Sequence, residues 1–348
     1  MAKALHSRVR KNISKGLHRL LSKLFPVNQT PEPIKLDEIK KILVVRINYR
    51  IGNILFTTPL LNALEKQFPH AQIDIMVGAP FTSSLVEGMP QVNKVYSFPR
   101  KLLKQPLKVF ALKKELKNNG YDLLVTPNLK STSDTLFTFL VSAKYKVGFY
   151  AKDVFSPLTH AVESTSEVNH EALKPLVLMS VFSDKLLENY TPYLDIRLSD
   201  EEKQTVASSI APQSIGIFRD ARGDKKLDNE WWLSLLDALH TLAPQLKIVD
   251  ILDPNNTTPL KDEMKTLSEK NLRTLAAKIA NLDAFICGDT GPMHLASSAK
   301  TPTIALFKTT SPEYYGTLGK KDLSLVLKDK TIDNVAKEIL VHLDIITA

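Results

Sequence analysis

Short apolar runs alternate with longer segments of helical spacing along most of the chain. KILVVRI (41–47), QIDIMV (72–77), YDLLVT (121–126) and KYKVGF (144–149) read as short buried strands. Between them, TPLLNALEKQF (58–68), LKVFALKKELKNN (107–119) and SDTLFTFLVSA (133–143) repeat apolar residues at helical intervals. NHEALKPLVLMSVFSDKLL (169–187) predicts a longer helix closing this half, and SDEEKQTVASS a capped polar helix after it. A second series follows, with strands at 214–219, 246–252, 283–288 and 301–307 and helices at 230–242, 271–282 and 292–300. Strand and helix in turn imply parallel β-α-β units. The chain therefore reads as two α/β halves, split near residue 200, with a cleft between them.

Charge changes this picture at one end. Residues 1–25 hold Lys3, Arg8, Arg10, Lys11, Lys15, Arg19 and Lys23 and no acid; setting those seven aside takes the formal net charge from +9 to about +2. Leu5, Val9, Ile13, Leu17, Leu20, Leu21 and Leu24 give the same segment one apolar face. A basic amphipathic helix of this kind reads as an anchor on an anionic membrane surface; a solvated arm is the plainer alternative. Nucleic acid is disfavoured, because no second basic cluster with interleaved aromatics accompanies it. The Pro-rich stretch FPVNQTPEPIK separates the arm from the body. No run reaches the ~20 apolar residues of a membrane span. The single cysteine, Cys287, excludes an internal disulfide framework and a Cys-based zinc site.

Candidate chemistry concentrates in FICGDTGPMHLASS (285–298), where a strand runs into a helix with Pro292 in its first turn. Asp289, Thr290 and Gly291 then lie at the C-terminal end of a strand and the N-terminus of a helix. Open α/β sheets bind ligands at that edge, and a helix N-terminus favours phosphate. Asp289 would accept hydrogen bonds from a sugar or ribose, and His294 lies one turn into the helix. The plainer alternative has Asp289 capping the helix and His294 packed beneath the turn. The glycine fingerprints of dinucleotide enzymes and P-loop NTPases are absent, as is the G-x-S-x-G of serine hydrolases.

Three stretches resemble glycosyltransferase family 9, the ADP-heptose:lipopolysaccharide heptosyltransferases. ICGDTGPMHLASSAKTPTIALF (286–307) is similar to the family's D-T-G-x-x-H donor turn with its helix and strand. KILVVRINYRIGNILFTTPLLNALEKQFPHAQIDIMVG (41–78) is similar to the N-terminal strand–loop–helix–strand. RGDKKLDNEWW (222–232) is similar to the segment whose lysine, here Lys225, meets the donor diphosphate. The resemblance implies a GT-B fold, two Rossmann-like α/β domains facing across a cleft. With residues 1–35 read as arm and linker, it implies 36–198 as the acceptor domain and 199–348 as the donor domain. It also implies inverting, metal-independent transfer of a heptose-type sugar from an ADP-sugar to a lipid-linked saccharide, with no cofactor, at the cytoplasmic face of the inner membrane. Lys225, Asp289, Thr290, Gly291 and His294 would bind the donor, and Arg46, Arg50 and Lys130 the acceptor.

The chain departs from the family pattern in three places. Asp220 precedes the Lys225 segment where small hydroxyl residues are usual, and it would repel a phosphate unless turned away. The ribose-binding acid has only Asp253 and Glu263 as candidates. Asn53 stands where the better-known members carry the aspartate proposed as general base, and an amide cannot take a proton from a hydroxyl at neutral pH. Three accounts follow: Asn53 orients the acceptor while another carboxylate, Asp134 or Glu171, takes the proton; the chain is a binding module whose catalysis has lapsed; or Asn53 merely caps the helix that begins near Thr57 or supports the loop.

Overall fold

The computed structural model describes residues 16, 20, 32–128, 131–150, 155–163, 168–183, 190, 192–256 and 258–347. The basic arm, apart from Gly16 and Leu20, and the acceptor candidate Lys130 lie outside the described residues. The strands are β1 (Lys41–Arg46), β2 (Gln72–Val77), β3 (Val92–Ser97), β4 (Tyr121–Thr126), β5 (Ala143–Tyr150) and β6 (His160–Glu163), then β7 (Ser214–Phe218), β8 (Lys247–Leu252), β9 (Lys265–Ser268), β10 (Ala284–Gly288), β11 (Thr303–Phe307) and β12 (Leu323–Val326). They form two six-stranded sheets in the orders β3-β2-β1-β4-β5-β6 and β12-β11-β10-β7-β8-β9. Every neighbouring pair is parallel. Numbered from its own first strand, each sheet has the same doubly wound order, reversing beside that strand.

Alternate residues of a strand face opposite sides of its sheet. In β1, Leu43 and Val45 join Leu116 and Phe137, from the helices Pro106–Asn119 and Thr132–Leu140, in an outer core. Ile42 and Val44 instead join Leu60, Leu61 and Leu64 of the helix Thr58–Gln67. That second core continues without a break into Phe285, Cys287 and Met293 of the other half. The two sheets thus share one hydrophobic core across the domain junction. A third core, with Trp232, Leu235 and Leu239 of the helix Asn229–Leu242 and Val335 and Ile339 of Ile332–His342, covers the far face of the second sheet.

The expected helix over 169–187 is a correction. The chain there makes a turn and then a 3₁₀ helix, Lys174–Val181, with Pro175 in its first turn; residues 184–189 lie outside the described set. Proline's missing N–H and its clash with the preceding turn keep an α-helix from running through this point. The capped helix after it is present as Asp200–Ala207, where Ser199 and Glu202 form a reciprocal capping box.

One side chain that ties the halves is Arg273. Arg273, on the helix Leu272–Ile279, donates to the carbonyls of Leu85 (3.3 Å) and Gly88 (3.3 Å) in the first half and to Ile196 (3.1 Å) and Arg197 (3.2 Å) in the connecting segment. Its remaining donors meet the Glu202 carboxylate.

Candidate active site

Each sheet has one point where neighbouring strands lead their connections to opposite faces, and a crevice opens there. In the first sheet it lies between β1 and β4, and in the second between β7 and β10. The loops leaving those four strands carry most of the described residues singled out from the sequence. Arg46, Arg50 and Asn53 follow β1, and Asp134 follows β4. Lys225 follows β7, and Asp289, Thr290, Gly291 and His294 follow β10.

On the second sheet, Thr290 is extended and opens the helix Gly291–Ser298, with Pro292 in the first turn and no side-chain cap. Helix N-termini leave N–H groups without intrahelical partners, and no side chain caps these. Asp289 does not cap it. Its carboxylate, largely buried, accepts from Lys225 Nζ and from Thr310 Oγ1 at 2.7 Å. Lys225 ends a single 3₁₀ turn, Gly223–Lys225, begun by Gly223 at φ 63°, a conformation that suits glycine. Its Nζ also lies 5.6 Å from the centre of the Tyr315 ring. Lys225 remains 36% exposed, so an incoming phosphate can reach it. Two other charged side chains after β7 are engaged elsewhere. Arg219 makes a paired contact with the fully buried Asp250 (Nη2–Oδ2 2.8 Å), and Asp220 is turned to Lys226 (3.3 Å) and Asn256 (3.1 Å). Asp253 accepts from the backbone N–H of Asn255.

On the first sheet, Arg46 is buried and its Nε donates to the Asn53 carbonyl at 3.0 Å, which fixes the helix Ile51–Leu55 over the end of β1. Burial lowers Arg46 to about 10, against the opposing charges of Asp134 and Glu171. Asp134 is 1% exposed and accepts from Asn128 and from Ser131 Oγ (2.9 Å). Burial pushes its carboxyl up to about 6, and those bonds and Arg46 pull the other way. A side chain so enclosed supports the loop rather than meeting an acceptor. The Glu171 carboxylate is partly exposed and bonded to Lys174, while its backbone N–H donates to the Tyr314 carbonyl at 3.0 Å, beside Tyr315. Its charge acts on Arg46. Arg50 is exposed at the start of its helix, its backbone N–H held by Asn48 Oδ1.

The two crevices meet directly. The helix Ile51–Leu55 crosses Gly291–Ser298 with no room between them. A Cβ on Gly52 would lie 2.9 Å from His294 Cδ2, and one on Gly291 would lie 3.0 Å from Ile51 Cβ. His294 is 4% exposed and edge-on to Phe56, ring centres 4.6 Å apart. Its Nδ1 is sealed from solvent without a partner among the described residues, and burial pulls the imidazole to about 3, so it is neutral at pH 7. The expected contact with donor hydroxyls is corrected here: the ring packs into the domain seam, because the glycine opposite leaves space for it.

Thr310 and Tyr315 went unremarked in the sequence. The available signal was strand order, since β11 lies beside β10 and its loop must emerge next to Asp289.

Comparison with known proteins agrees with this architecture. The model of glycosyltransferase family 9 (heptosyltransferase) matches residues 109–340. Lipopolysaccharide heptosyltransferase 3 of Escherichia coli is 26% identical over 285 residues, covering 74% of this chain and 81% of that protein. Lipooligosaccharide heptosyltransferase 2 of Haemophilus influenzae is 24% identical over 317 residues, covering 82% and 89%. Among solved structures, a family 9 glycosyltransferase from Veillonella parvula superposes with TM-score 0.73 at 20% identity over 91% of this chain and 92% of that one. The E. coli heptosyltransferase WaaC with ADP superposes with TM-score 0.71 at 17% identity over 87% and 99%. The fold is GT-B, two doubly wound domains facing across a cleft. The family model spans more than half of the chain, and this chain therefore belongs to glycosyltransferase family 9, the heptosyltransferase family, and is a glycosyltransferase.

Proposed function

We propose that the chain transfers a heptose, with inversion and without a metal, from ADP-heptose to a saccharide of the lipopolysaccharide core. The observation that carries this reading is the Lys225–Asp289 pair beside the uncapped helix Gly291–Ser298, facing the Asn53 helix across the seam. The donor diphosphate takes Lys225 and the N–H groups of Thr290 and Gly291. These balance the charge that grows on the departing ADP, a task suited to fixed donors aimed at the leaving group. Asp289, released from the lysine, accepts from donor hydroxyls. Asn53 and Arg50 hold the acceptor. Its hydroxyl oxygen bonds to the anomeric carbon as the bond from that carbon to the phosphate oxygen breaks, and Glu171 accepts the proton. Glu171 is favoured over Asp134 because its carboxylate is the accessible one. The arm at 1–25 holds the protein to the inner face of the membrane, where a lipid-linked acceptor lies.

One observation favours a second reading. Asn53 supplies no base, as in a binding module that has lost turnover. Calorimetric titration with ADP, UDP, GDP and CMP, followed by ADP release from ADP-heptose, tests the donor assignment. ADP should bind most tightly and ADP-heptose should turn over; equal affinity for all four nucleotides would defeat it.

A further inference from the structure

Away from the cleft, the outer layer of the first domain carries exposed apolar side chains. The helix Pro106–Asn119 lays Leu116 and Leu112 on the sheet. Its opposite face carries Leu107 and Phe110, 84% and 68% exposed. Three residues apart, they share one side of the first turn. Beside them a cavity of about 170 Å³ opens between this helix and Thr132–Leu140, lined by Val109, Leu116, Leu136 and Phe137. Lys101, Lys104, Lys108, Lys113, Lys114 and Lys117 surround the patch and are all exposed. The one acid among residues 101–120, Glu115, is bonded to Lys94 at 2.6 Å. This is a second basic cluster, a correction to the expectation that the arm carries the only one. Single exposed apolar residues are ordinary. Two on one turn, beside an open apolar groove and amid uncompensated lysines, mark an interaction surface.

We infer that this face docks on an anionic phospholipid bilayer, with Leu107 and Phe110 entering the acyl boundary and the lysines meeting headgroup phosphates. Charge complementarity selects this occupant: an apolar tip ringed by cations fits an anionic interface. Its position gives the docking a use. β3 ends at Ser97 and the helix starts at Pro106, on the edge of the parallel sheet where β1 delivers Arg46 and Asn53. Docking would hold that edge of the cleft against the membrane. This use, though not the docking itself, rests on the proposed lipid-linked acceptor.

The test is co-sedimentation of the full chain with vesicles of phosphatidylethanolamine and phosphatidylglycerol. The parent is compared with the double variant Leu107→Ser and Phe110→Ser. The comparison is repeated in a chain whose seven arm cations are replaced by glutamine, so that the arm does not mask the difference. Both sites are exposed, so the double variant should fold. It should partition roughly tenfold less, as loss of part of two side-chain burials requires. Replacing Lys104, Lys108 and Lys114 by glutamine should flatten the salt dependence. An environment-sensitive fluorophore on Ala111→Cys gives a second readout, because the native Cys287 is buried. Its emission should shift to the blue with vesicles. Equal partition of parent and double variant, or no emission shift, would overturn the inference. So would a double variant that only dissociates a dimer, which would assign the face to a second copy of the chain. Vesicle differences without any sugar transfer would leave the docking face standing and sink the proposed activity.

Discussion

Lys225 donates to Asp289 across the crevice of the second sheet, joining the loop after β7 to the turn after β10. Either partner alone leaves the other with an uncompensated charge. Lys225→Ala and Asp289→Ala should each weaken donor binding or kcat/KM by ~1.5–3 kcal/mol, the range for a charged hydrogen bond. The double variant should lose less than the sum, because the residues act on each other. Unchanged ADP-sugar affinity in both folded variants would remove these residues from the donor site.

Gly52 and Gly291 let the two crevices touch. Gly52→Ala should destabilise the protein by ~1–3 kcal/mol, since the new methyl meets the rigid His294 ring at 2.9 Å. Gly291→Ala should act alike through Ile51. Urea unfolding reads the stability and kcat/KM the alignment of the halves. Parent-like values in both would mean that the seam is looser than the structure has it.

Asp134 makes a pH-dependent contribution with a defined sign. Its carboxyl is raised from 3.8 to about 6, so the folded state holds the proton more tightly than the unfolded chain. Its contribution to stability is therefore full below about pH 4 and lost as pH rises to about 6, by ~3 kcal/mol at most. Asp134→Asn removes that loss. Variant-minus-parent stability should rise between pH 4 and 6 and then level off. A difference that falls over this window would contradict the assignment.

Glu171 and Asn53 divide the acceptor chemistry. Glu171→Gln should lower kcat while leaving ADP affinity near the parent's, the pattern of a group acting on the reacting hydroxyl. Asn53→Ala should reduce turnover more than donor affinity. Steady-state kinetics beside calorimetry separates these effects. A Glu171→Gln enzyme with parental kcat would return the proton to another base.

Most of the candidate site was legible in the sequence as positions, because its residues follow apolar strands that announce themselves. The D-T-G turn, Lys225 and Asn53 all lie one loop beyond such a strand. The strands that escaped notice are β3, β6, β9 and β12, the four edges of the two sheets. An edge strand is half-solvated, so HAVE, KTLS and VNKVYS carry no buried run. The helix Ile332–His342 was also passed over, although Thr331 caps it and Val335 and Ile339 mark its buried face. That His294 packs was one of the two readings of the turn; its partner across the seam was hidden for a different reason. Its neighbour Gly52 is distant in sequence, and only the packing of two domains brings them together.

The central claim is that a chain with Asn53 at this position still transfers sugar. The direct measurement is the mass of a heptose-deficient lipopolysaccharide core acceptor after incubation with ADP-heptose and the parent protein. The account predicts a gain of a single heptose with one ADP released per transfer. No gain with the parent, while Asn53→Asp transfers under the same conditions, would contradict it.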